Sequence, residues 1–182
     1  ADALARVGTL AVAVGSRGIA GIDRIVRALV AALRAGGIDV FIVPAMGSHG
    51  GATAAGQEEV LRHLGITADS VGAPIRSSME TVVVGSVTSS NGNDVPLYMD
   101  ALAAEADAVI PVNRVKPHTG FKGPVESGLC KMLAIGLGKH DGAATLHREG
   151  YGAVDRLILD AGLAIVATGK VPFGLAVVEN AY

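Results

Sequence analysis

The chain has 182 residues, 50% of them hydrophobic and 18% charged, with a mean hydropathy of +0.46, a burial capacity that excludes a disordered segment. A formal charge of −2 gives no electrostatic reason to expect nucleic acid or an anionic membrane surface, and no apolar run approaches the ~18–20 residues of a membrane span. The single cysteine, Cys130, excludes an internal disulfide framework and a Cys-rich zinc site and fits a reducing cytoplasm.

Thr9 to Val14 is a continuous apolar run ending at Gly15, the pattern of a strand buried on both faces. After the turn Gly15-Ser16-Arg17-Gly18, apolar residues from Ile22 to Leu33 recur at helical spacing until Gly36-Gly37. Asp39 to Ala45 reads as the next strand, which makes a right-handed parallel β-α-β unit. Met46-Gly47-Ser48-His49-Gly50-Gly51 then leads to a helix from Thr53, its N-cap, to Leu64.

Residues Ile66 to Ser78 look irregular. Glu80 to Val87 predicts a strand, Ser89 to Asn93 a turn, Pro96 to Ala104 a short helix, and Ala108 to Val112 a strand. Asn113 to Gly128 is a long Pro- and Gly-containing loop with Arg114, Lys116, His118 and Lys122, a length and charge that favour function. Helical stretches follow at Leu129 to Leu137, Gly142 to His147 and Tyr151 to Ala164, with a last strand near Gly174 to Glu179. Scarce aromatics, many glycines and Ala/Val/Leu/Ile elements predict one three-layer α/β domain. It should have a mostly parallel, Rossmann-like sheet with helices on both faces.

In such sheets ligands bind where loops leave the carboxyl ends of the strands. Ser16-Arg17, Ser48-His49 and the Arg114 to Lys122 loop should therefore meet at one rim, with the backbone of Gly50 and Gly51 available to an anion. Taken singly each feature has a plainer reading: a tight turn at Gly47 to Gly51, a solvated His118, an Arg17 that binds a helix end. Lys131 lies in an apolar helix, where a lysine must snorkel, pair or do chemistry. His140 and His147 share one helical run only if Gly142 does not break it, and either could hold a metal. No His-Glu-x-x-His pattern supports a zinc hydrolase, and Gly136 to Gly142 reads as a helix end.

In order and approximate spacing, Ser16-Arg17, Gly47-Ser48-His49-Gly50-Gly51, Lys116-Pro117-His118, Gly120-Phe121, Lys131 and His147 together resemble the lactate racemase family of nickel-dependent 2-hydroxy-acid racemases and epimerases. The resemblance implies a pyridinium-3,5-dithiocarboxylate-type mononucleotide that holds nickel in a pincer. It implies attachment through Lys131, with Lys122 a second candidate, and His147 as the protein's nickel ligand. His49 and His118 would be the acid/base pair and Arg17, with Ser16, the carboxylate site; Ser48, Gly50, Gly51, Lys116 and Lys122 would help hold the cofactor. It also implies a second domain, so that the chain reads as the N-terminal, cofactor-binding part of a longer cytoplasmic enzyme. Two other functions fit the same residues: a metal-free proton-transfer enzyme of this fold, and a non-catalytic anion- or metal-binding module.

Overall fold

A computed structural model describes residues 4–117, 123 and 125–179. Strand β1 (Thr9–Val14) is followed by α1 (Ile22–Ala35) and β2 (Asp39–Pro44), then by a short 3-10 turn (Gly50–Ala52), α2 (Ala54–His63) and α3 (Ala68–Val71). A hairpin of β3 (Thr81–Thr88) and β4 (Asp94–Asp100) precedes α4 (Ala101–Glu105) and β5 (Ala108–Val115). The rest comprises α5 (Leu129–Lys131) running into a π-helical turn (Met132–Gly136), then α6 (Lys139–Arg148), α7 (Tyr151–Ala167) and β6 (Leu175–Val178).

The main sheet has the order β2-β1-β5-β6, and each neighbouring pair is parallel. Alternation along β1 explains why both faces are covered. Leu10, Val12 and Val14 enter one core with Val26, Val30 and Leu61 of α1 and α2. Ala11 and Ala13 enter the other, with Leu97 and Met99 of β4, Leu146 of α6 and Ile158 of α7. Two apolar layers around one continuous apolar sheet make the three-layer α/β architecture. Thr53 caps α2 by accepting from the Gly56 backbone N–H at 3.1 Å, as its position before the helix leads one to expect.

Several elements differ from the expectation. The helix expected over Pro96 to Ala104 is mostly strand: β4 occupies Asp94–Asp100 and pairs antiparallel with β3. Val95, Leu97 and Met99 are buried at alternate positions, a period of two that the sequence reading took for a helical one. Only Ala101–Glu105 is helical, with Asp100 accepting from the Ala103 N–H at 3.0 Å. The irregular stretch after Ile66 contains α3, started by a reciprocal Thr67/Ser70 capping box. Gly142 does not interrupt α6, and glycine suits the position because a Cβ there would lie only 3.2 Å from the Ala134 carbonyl oxygen. β5 also reaches Val115, three residues into the expected loop, because β6 pairs with Val112 through Val115. Among the described residues no helix is long and apolar enough to cross a membrane.

Candidate functional site

At the carboxyl ends of β1, β2 and β5 lies a pocket of about 300 Å³. β1 delivers Ser16 and Arg17, β2 delivers Gly47, Ser48 and His49, and β5 delivers Asn113, Arg114 and Lys116. The floor comes from the other layer: Lys131, Met132 and Ile135 of α5 and the π turn, Ala143 and His147 of α6, and Val154 and Ile158 of α7. The result is a cationic rim over a largely apolar floor that also carries Lys131 and His147. Among the described residues no aspartate or glutamate lines it.

The fold thus brings together Ser16, Arg17, Ser48, His49, Lys116, Lys131 and His147 of the predicted site. Gly50 and Gly51 form the 3-10 turn behind His49 and are not among the lining residues. Gly50 is required there for another reason: its φ is +65°, and a Cβ would sit 2.6 Å from the Gly56 backbone carbon. His118 and Lys122 lie outside the described residues. His140, on the same helix as His147, is exposed and does not line the pocket, so of the two only His147 reaches the site.

Ser16 Oγ lies 2.5 Å from His49 Nδ1, a contact that fixes the ring plane and leaves Nε2 for a ligand. Partial burial, then the charges of Arg17 and Lys131, hold the His49 pKa below the ordinary histidine value of 6.5. Burial, then Arg17 and Lys116, likewise lowers the Lys131 pKa, so its amine is deprotonated, and nucleophilic, more often than an exposed lysine's. Arg17 is the cation common to both shifts. Replacing it with glutamine removes a like charge and is expected to raise the His49 pKa towards 6.5. An NMR titration of the imidazole checks this, and an unmoved midpoint would separate Arg17 from His49 electrostatically.

Lys131 sits where the α-helical turn passes into the π turn, whose Leu137 N–H donates to the Met132 carbonyl at 2.8 Å. Such insertions re-aim side chains and recur at functional sites. The π turn abuts the His49 loop directly, since the Gly47 N–H donates to the Gly136 carbonyl at 3.1 Å. The loop after β5 is closed at its base by Ser127, whose hydroxyl receives the Lys116 N–H at 2.7 Å and donates to the Lys116 carbonyl at 2.5 Å.

The sequence reading missed a buried polar strut beneath the site. Lys139, read as part of a helix end, is fully buried, as are Asp100 and Gln57. Its Nζ lies 3.0 Å from Asp100 Oδ2 and donates to the Pro44 carbonyl at 2.6 Å and to Gln57 Oε1 at 3.0 Å. Burial lowers its pKa against the opposing pull of Asp100. The only local signal was a lysine flanked by an apolar run, because its partners lie far away in sequence.

The profile of a domain of unknown function, DUF362, matches residues 19–181, from just after β1, Ser16 and Arg17 through β6. The chain belongs to the DUF362 family. Among curated proteins none matches it. Membership in DUF362 carries no activity with it, so the function of this DUF362 chain has to be argued from the pocket. The likeness to lactate racemases rests on the motifs alone.

Proposed function

We propose that this DUF362 chain is the cofactor-binding part of a racemase or epimerase of small 2-hydroxy acids. The observation that carries the reading is the convergence of Arg17, His49, Lys131 and His147 on one pocket. An arginine fork pairs bidentately with a planar carboxylate, and a neutral imidazole beside it accepts a hydroxyl proton. In the tautomer whose Nδ1–H donates to Ser16 Oγ, the Nε2 lone pair of His49 is the base. On the sequence resemblance His118 is the second acid/base histidine and exchanges the hydroxyl proton of the other enantiomer, while inversion comes from reduction of the planar keto acid on its other face.

The residues fit the nickel-pincer mononucleotide. Lys131, half-buried and with its pKa lowered, suits covalent attachment, and Lys116 suits a phosphate. Among the described residues no group of three or more His, Cys, Asp or Glu is placed to hold a metal. On the resemblance a metal here would take most of its ligands from the cofactor, with His147 supplying an imidazole. When bound, the cofactor supplies the reversible acceptor for the carbinol hydrogen. The chain's own residues bind the carboxylate and hold the hydroxyl proton at His49 over a largely apolar floor.

Intact mass and nickel content, measured on protein co-expressed with cofactor-assembly enzymes, test this. Wild type is expected to carry one nucleotide-sized mass addition and nickel, and Lys131→Ala to lose the covalent addition. An unmodified, metal-free wild-type chain would overturn the reading. The cationic rim, which holds no carboxylate among the described residues, favours one second reading, a module that binds an anion reversibly without turnover.

A further inference from the structure

The turn that carries His49 has little regular backbone structure to hold it. Gly47 takes a φ of +62° and Gly50 one of +65°. Within the turn the His49 N–H donates to the Met46 carbonyl at 3.2 Å and the Ala52 N–H to the Ser48 carbonyl at 3.1 Å. Two carbonyls of the turn are held from outside by one side chain. Gln57 Nε2 donates to the Gly47 carbonyl at 2.7 Å and to the His49 carbonyl at 3.2 Å.

An amide can present either its oxygen or its nitrogen, and here the choice is forced. Lysine Nζ has only donors, so the Gln57 atom facing Lys139 at 3.0 Å is Oε1, which sends the NH2 group towards the turn. Lys139 is itself held by Asp100 Oδ2 and the Pro44 carbonyl, and neither Gln57 nor Lys139 has any exposure. We infer that Gln57, its amide oriented by Lys139, is the positioning residue that fixes the Gly47-Ser48-His49 turn and so aims the His49 ring into the pocket. The inference gains its functional meaning from the proposed role of His49 as a base.

Two variants of the chain test it. Gln57→Met removes the amide at similar volume. Gln57→Glu keeps an oxygen for Lys139 and, as a carboxylate paired with that lysine, replaces the donors to the turn with an acceptor. In either folded variant, amide hydrogen exchange at His49 and Ala52 is expected to quicken about ten-fold relative to Val12 in β1, as one lost hydrogen bond implies. The His49 ring ¹⁵N shifts should also move as the Ser16 contact loosens. With lactate as probe in the cofactor-loaded protein, kcat should fall while KM stays unchanged.

Exchange rates and ring shifts like those of wild type in a folded variant would overturn the inference. Failure of both variants to fold would overturn it too, by assigning the amide to stability alone. Exchange and ring shifts need no turnover. They therefore stand even if lactate is not a substrate, and loss of the racemase reading is told apart from loss of this one.

Discussion

Exchanging Lys139 for methionine is expected to lower the stability of the chain by about 3–5 kcal/mol, the usual result of stripping one partner from a buried ion pair. Lys139 and Asp100 are both without exposure, 3.0 Å apart, so Asp100 would be left with an uncompensated charge in the core. Pro44 and Gln57 would lose a donor at the same time. The double variant Lys139→Met/Asp100→Asn removes the stranded charge, keeps a side-chain oxygen as acceptor for the Ala103 N–H, and should recover much of the loss. Urea unfolding of the three proteins measures both quantities. A loss in Lys139→Met below about 1 kcal/mol, the scale of an exposed pair, would mean that water reaches the pair.

The second large effect is on chemistry. His49→Ala in the cofactor-loaded protein is expected to reduce lactate racemisation by about 10²–10⁴-fold, the range for removal of a general base, while lactate still binds because Arg17 is untouched. The pH profile carries the same assignment. A base works unprotonated, so activity should be complete above the His49 pKa and fall as pH drops through it. Since burial and then Arg17 lower that pKa, the acid limb of kcat/KM should lie below 6.5, the ordinary histidine value. Full racemisation by His49→Ala, or an acid limb above that value, would remove His49 from the base role.

How far the sequence foretold this depended on whether the signal was local. β1, α1, β2 and α2 follow from continuous apolar runs, a helical stripe and an N-cap, all within one element. The convergence of Arg17, His49 and Lys116 followed from a topological rule, since strands that run parallel leave their loops at one end. β4 was misread because Pro96 and a few alternating apolar residues match both periods over so short a stretch, and only the partner β3 decides between them. The Asp100–Lys139–Gln57 strut was invisible for a different reason. Each residue is an ordinary polar one in sequence, and their meaning comes from burial against elements that the chain reaches much later. Asn113 was missed similarly: its amide donates to the Gly128 carbonyl at 3.0 Å, which shapes the pocket wall through a contact across the whole loop.

The strand order has a bearing on how the site comes into being. β1 is central, and on one side it must wait for β5, so that Leu10 meets Ala108 only after α1, β2, α2, α3 and the hairpin have been made. Closing so long a segment is entropically unfavourable and slows assembly. Ser16, Arg17 and His49 lie before that closure and Lys116, Lys131 and His147 after it. The rim is therefore complete only after that closure, and a nascent chain that has emerged only as far as β4 holds Arg17 and His49 without Arg114, Lys116, Lys131 and His147 opposite them.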